Sequence, residues 1–431
     1  MILMRVCIVA EHASTRFGGE AILPVHYFRL LRSRGIEAWL VVHARTRDEL
    51  KSLFATDLDR IRFVEDSWIQ KVIFRIGTKL PRRLSEVSLG LLNQFITQFQ
   101  QRKIVGQLIR MEKIDVIHQP IPVAPRFPSL LFGLGIPRVV GPLNGGMEYP
   151  PFFRRAESGI SRAFVAAART LSNLGNTLFP GKKHADVVLV ANERTRKALP
   201  SGVSGKVIVL PENGVDLDVW NDANDDNGEP TPRFVFIGRL VDWKSVDVVI
   251  RALTDVPGAE LEIIGEGPMT GTWKSLAAHL GLSDRVRFEG WLPQHECAAH
   301  LRSATALVLP SLYECGGAVV LEAMAMGKAV IATNWGGPAD YVDATSGFLI
   351  QPESDVALIK GFATAMKMLI DSPELAKSMG AAGRESVIRN FDWQRKIDRM
   401  ISIYGELAEL SKSNHGFGQD HISPASVSEQ Q

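Results

Sequence analysis

Cysteine is scarce in this sequence. Its 431 residues hold three, Cys7, Cys297 and Cys315, scattered along the chain. That spacing excludes a disulfide framework and a cysteine-rich metal knuckle, and it implies a reducing compartment. Long apolar runs are missing as well: no stretch approaches the ~18 uncharged apolar residues of a membrane span. The apolar opening MILMRVCIVA runs into charged EHASTR with no cleavage-like site, so it reads as a first strand and not a signal peptide. The first glycine loop lacks G-x-G-x-x-G spacing, and neither H-E-x-x-H nor a G-x-S-x-G elbow occurs, which leaves a dinucleotide cofactor, a zinc peptidase and a serine hydrolase unsupported. Two D-x-D pairs, Asp57-Leu-Asp59 and Asp216-Leu-Asp218, stand outside the strand-loop context of a metal site. No metal and no cofactor are expected. There is no internal repeat of solenoid length.

What is present is an ordinary globular composition, 45% hydrophobic and 22% charged, long enough for two domains of about 200 residues. The net charge of +2 conceals an asymmetry. Residues 1–200 carry 30 Lys and Arg against 16 Asp and Glu; the remainder carries 19 against 31. A basic half beside an acidic half suggests that one half meets something anionic. No nucleic-acid motif accompanies the charge, and an anionic membrane face fits better. Residues 66–113 read as basic helices with Trp68, Val72, Ile76 and Leu80 on one stripe near Lys71, Arg75, Lys79, Arg82 and Arg83. A second basic stretch, Pro150 to Arg169, carries Phe152 and Phe153. Such helices either lie in a bilayer interface or pack on their own domain.

The chain alternates strands and helices in the order of an α/β protein. Met4–Ala10 is a strand, followed by a loop with Gly18 and Gly19, a helix over Ala21–Ser33 and a strand over Glu37–Val42. Asp115–His118 closes another strand, and GPLNGGMEYPP (Gly141 to Pro151) is a second glycine-rich loop. Asn221–Pro232 is a polar, turn-rich linker. After it, Phe234–Leu240 restarts the pattern. The densest stretch is Ala304–Tyr341: a strand, a loop holding Glu314, Cys315, Gly316 and Gly317, a helix with Glu322 and a further strand. That unit presents open backbone N–H groups and a helix N-terminus at the carboxyl end of a sheet, with one acid on either side. A phosphate suits the N–H groups, and a carboxylate suits a sugar hydroxyl, because it only accepts.

Glu314 and Glu322, within PSLYECGGAVVLEAMAMGKAVIAT, resemble the E-x7-E motif of the retaining glycosyltransferases of family 4, and Arg239 with Lys244 resembles that family's G-R-L…K pattern. The resemblance implies the GT-B fold: two doubly wound Rossmann-like α/β domains facing a cleft, here 1–212 and 213–390. A C-terminal helix over 391–410 would pack back on the first domain, and 411–431 would be a disordered tail. It also implies a retaining, metal-independent hexosyl transfer from a nucleotide-diphosphate sugar to a saccharide or lipid-linked acceptor. Surface polysaccharide synthesis at the inner face of a bacterial membrane is the setting that fits, with the enzyme cytoplasmic or peripheral. By the same resemblance Glu314 meets the donor sugar and Glu322 the ribose. Arg239, Lys244 and the amides of Cys315, Gly316 and Gly317 meet the diphosphate, with Gly18 and Gly19 across the cleft. His118 lines the reaction centre. Three places depart from the family pattern: Cys315-Gly316 stand where Gly-Phe is usual, Lys328 where Pro is frequent, and Ser245 where Gly often follows the Lys. An epimerase or phosphorylase of the same fold, and a non-catalytic membrane module, are the alternatives.

Overall fold

The computed structural model describes residues 4–16, 19–77, 90–154, 170, 172–221 and 231–416. Gly18, Leu80, most of the basic stretch 150–169, residues 222–230 of the polar linker and the tail past 416 lie outside the described residues.

Strands form where β-branched and aliphatic residues run together between glycine loops. Val-Val-Leu-Val at 187–190 and Ala-Leu-Val-Leu at 306–309 are buried at every position. Continuous burial is the mark of parallel strands covered on both faces by helices. Among the described residues every strand pairing is parallel. The first sheet comprises β1 (Arg5–Val9), β2 (Glu37–His43), β3 (Ile61–Val64), β4 (Val116–Gln119), β5 (Arg138–Leu143), β6 (Val187–Val190) and β7 (Lys206–Val209), in the order β3-β2-β1-β4-β5-β6-β7. The second comprises β8 (Arg233–Ile237), β9 (Glu260–Ile264), β10 (Val286–Gly290), β11 (Ala306–Leu309), β12 (Ala329–Thr333) and β13 (Gly347–Ile350), in the order β10-β9-β8-β11-β12-β13.

Each sheet reverses its winding once, at β1/β4 and at β8/β11. Adjacent loops diverge there and leave a crevice at the carboxyl ends of the strands. The loops after β1 and β4 belong to the first crevice, and the loops carrying Arg239, Lys244 and Glu314 to the second.

The chain passes from the second sheet back to the first at Phe391, whose carbonyl accepts from Val215 N–H at 2.8 Å. The last helix, Trp393–Gly416, then buries Trp393, Ile397, Met400, Tyr404 and Leu407 in the core of the first sheet. Their three- and four-residue spacing is that of one helix face. The helix runs six residues past the 410 boundary read from the sequence. Ser411–His415 contains no glycine or proline to end it, and Gly416 is the first residue that can.

Candidate active site

The loop between β11 and the helix Ala318–Ala325 is folded tightly on neighbouring backbone. Gly317 takes φ +75° at the N-cap of that helix, a conformation that costs a residue with a Cβ. Gly337 N–H donates to Glu314 O at 2.8 Å, and a Cβ on Gly337 would meet Gly316 O at 1.9 Å. Gly316 is pressed from the other side, where a Cβ would meet Asn213 Nδ2 at 2.4 Å. The loop is thus held by the second domain on one flank and by the strand-exit segment of the first on the other.

Lys244 and Glu314 form an ion pair, their side chains 15% and 14% exposed. This joins the loops after β8 and β11 across the crevice of the second sheet. Arg239 opens the same β8 loop; it is exposed and has no ion-pair partner among the described residues. The β8 loop lies backbone to backbone on the β9 loop, since a Cβ on Gly265 would meet Gly238 O at 2.1 Å and one on Gly267 would meet Leu240 O at 2.1 Å. Ser245, directly after Lys244, sits at φ +49°. Glycine reaches that region freely, which is the physical reason for a glycine at this position; serine pays about 1 kcal/mol to hold it.

Glu322 lies half-buried on the helix beyond the loop. Burial pushes its carboxyl up to about 7, and it has no hydrogen-bond partner among the described residues. Its charge, after burial, helps to push the Cys297 thiol up to about 11. Cys315 is also half-buried; burial first, then Glu314 and Glu212, push its thiol up to about 11, so it is not a nucleophile at neutral pH.

From the first domain, Gly19 stands exposed at φ +53° with open space around it, at the start of the turn Gly19–Ile22. The adjacent Glu20 accepts from Val123 N–H at 2.8 Å, tying the β1 loop to the β4 loop. His118 differs from its sequence expectation. The side chain is wholly buried, its Nε2 against Gly141 O at 2.6 Å and its Nδ1 against the Tyr404 hydroxyl at 2.7 Å. Burial holds the imidazole down at about 4. With both nitrogens engaged beneath the sheet, His118 braces β4, β5 and the last helix and does not line the reaction centre.

The structure adds residues that the sequence reading left without a role. Glu212 is buried, accepts from Asn144 Nδ2, and is pushed up to about 7 by burial, with the charges of Glu20 and Glu314 adding to that push. Lys396 donates to Glu212 O at 2.7 Å and Asn213 O at 2.6 Å. Asn213 Nδ2 in turn donates to Tyr341 Oη at 3.1 Å. Their only signal in the sequence is position: Glu212 and Asn213 leave the last strand of the first domain, and Asn144 sits in a glycine-rich loop. One acid of each D-x-D pair is otherwise engaged. Asp57 pairs with Arg32 at 2.8 Å, and Asp216 pairs with Arg29. Among the described residues no group of three or more His, Cys, Asp or Glu is placed to hold a metal.

Residues 221–386 match the family model for glycosyl transferases group 1. The matched segment holds the whole second sheet, β8 to β13. The chain is 31% identical over 264 residues to the GDP-mannose-dependent α-(1-6)-phosphatidylinositol monomannoside mannosyltransferase of Mycolicibacterium smegmatis, covering 56% of this chain and 66% of the relative. It is 28% identical over 179 residues to the lipopolysaccharide core biosynthesis glycosyltransferase LpsE of Rhizobium meliloti, covering 41% of this chain and 51% of that protein. The chain therefore spans between half and two thirds of these relatives' lengths. In structure it resembles sucrose-phosphate synthase from Thermosynechococcus elongatus (TM-score 0.66, 19% identity, 94% of this chain and 99% of that one). It also resembles Anabaena HepE in complex with UDP (TM-score 0.65, 17% identity, 93% and 98%). The fold of this chain is GT-B, two doubly wound α/β domains about a cleft.

Proposed function

We propose that this chain is a family 4 glycosyltransferase. It moves a hexosyl unit from a nucleotide-diphosphate sugar to a saccharide or lipid-linked saccharide with retention of configuration. The observation that carries the reading is the Lys244–Glu314 pair, set at the winding reversal of the second sheet beside the N-terminus of Ala318–Ala325. A cation, open helix amides and an acid within one crevice match a diphosphate joined to a sugar. Arg239 and Lys244 would take the charge that grows on the leaving diphosphate, in the absence of a divalent cation. Glu314 would turn from Lys244 to the sugar hydroxyls, and Glu322 would accept from the ribose. The leaving diphosphate itself would assist the incoming hydroxyl on the same face, so no protein nucleophile is required. One relative is named for a phosphatidylinositol monomannoside and the other for lipopolysaccharide core biosynthesis, which supports a role in surface polysaccharide synthesis.

A lipid-linked acceptor also accords with the first domain's surface. The helix Trp68–Gly77 exposes Trp68, Ile69 and Val72 beside Lys71, and Gln70 Nε2 ties it to Thr97 Oγ1 at 3.0 Å on the helix that exposes Phe99. Apolar and basic side chains on one face suit an anionic membrane.

The test is slow donor hydrolysis over a panel of UDP-, GDP- and ADP-sugars in the presence of EDTA, followed by NMR of the anomeric configuration of any product formed. Hydrolysis of one donor class with retention is expected. Indifference to every donor would refute the reading.

A further inference from the structure

Beside the Glu314 loop, two cavities of about 220 Å³ and 370 Å³ share a wall, the side chain of Trp335. Trp335 follows β12, and its Nε1–H donates to Glu148 O of the first domain at 2.7 Å. The next residue, Gly336, lies on the Glu314 loop itself. At φ +69° a Cβ there would meet Glu314 O at 2.2 Å and Met147 Cε at 2.6 Å. The smaller cavity, lined by Gly336 and Met147 together with the charged Glu148, Arg154 and Arg194, therefore begins beside the Glu314 loop. The larger one continues past Trp335 between Phe152, which is 42% exposed, and Gln351. The side chains of Asn334 and Gln351 have no hydrogen-bond partner among the described residues. Walls come from both domains, so the groove exists only while the two stand together.

An aromatic face flanked by unpaired amides is the chemistry that holds a pyranose: the ring's C–H face packs on the indole and its hydroxyls meet the amides. The larger cavity falls within the size range of small-molecule sites. We propose that this groove is an extended acceptor subsite. It holds the sugar units of a saccharide acceptor that precede the unit receiving the transfer, packed on Trp335 and Phe152. The proposal rests on the transfer reading above and adds that acceptor length is recognised on the second domain as well as the first. The half-buried Asn334 favours a sugar over an acyl chain as the occupant, because acyl burial would strand its amide.

The experiment uses the full chain with saturating UDP, GDP or ADP, whichever binds. Methyl glucoside, methyl mannoside and their di-, tri- and tetrasaccharides are titrated by ligand-observed NMR. Affinity is expected to rise at least about fivefold from one unit to three, the worth of a stacked aromatic contact. Trp335→Ala and, separately, Phe152→Ser should flatten that rise while nucleotide affinity stays within about twofold, which also shows that the variants are folded. Nucleotide binding without length dependence, including no binding by any oligosaccharide, overturns the subsite alone. Length dependence that survives both substitutions overturns it too. Failure of every nucleotide to bind removes the transfer reading and this proposal with it.

Discussion

Lys244 and Glu314 neutralise one another in the free protein, so a donor must separate them, and that competition fixes the sign of two substitutions. Lys244→Met keeps the apolar stem but deletes the cation. A hydrogen bond to a charged group is worth about 1.5–3 kcal/mol, or roughly 10- to 150-fold in affinity. The side chains are only 15% and 14% exposed, which lifts the pair above the ~0–1 kcal/mol of a surface ion pair. Because the diphosphate must first displace Glu314, the net loss should lie toward the lower end, about 10- to 30-fold. Glu314→Gln acts in the opposite direction on the nucleotide alone. Without its competitor Lys244 is available, so a plain nucleoside diphosphate should bind as well as before or a few-fold tighter, by about 0.5–1 kcal/mol. The intact nucleotide sugar should bind more weakly, since the carboxylate that accepts its hydroxyls is gone. Calorimetric titration of both variants with the diphosphate and the matching nucleotide sugar separates these effects. Unchanged diphosphate affinity in Lys244→Met would refute the reasoning, as would a Glu314→Gln variant that weakens the two ligands equally.

Glu322 offers a pH signature: its carboxyl stands near 7 in the free protein, and a ribose hydroxyl would favour the charged form, so donor affinity should rise with pH and level off above about 7. Glu322→Gln should flatten that profile, which nucleotide titrations between pH 5.5 and 8.5 would show. His118→Ala should act on stability alone, lowering the unfolding free energy by about 2–3 kcal/mol through the loss of two buried hydrogen bonds while nucleotide affinity is held. A selective fall in kcat with an unshifted melting point would return His118 to the reaction centre.

The fold was legible because its signal is local and repeated. Runs such as Val-Val-Leu-Val and Ala-Leu-Val-Leu, buried at every position, specify parallel strands covered on both faces wherever they occur. The loops holding Arg239 and Lys244, and Glu314 through Gly317, were legible for a similar reason, since each is a short contiguous segment at a strand end. What escaped the sequence is whatever depends on distant partners. His118 ends a strand like many site histidines, and only Tyr404, 286 residues away, decides that its ring is locked under the sheet. Nothing near Glu212 announces a buried acid; its amide partner Asn144 is 68 residues back, and the ammonium of Lys396 that holds its carbonyl is 184 residues ahead.

That long-range set has a consequence for how the two domains communicate. Lys396, on the last helix, grips the carbonyls of Glu212 and Asn213, and the Asn213 amide lies where a Cβ on Gly316 would sit. A shift of the last helix must therefore move the flank of the Glu314 loop, and with it the ion pair that a donor has to open. Burial pulls the Lys396 ammonium down to about 7, so its proton is held weakly at neutral pH. As pH rises past that value the neutral amine grips both carbonyls less firmly, because a charged donor makes the stronger hydrogen bond. Loosening of this contact opposes the gain from Glu322 over the same range.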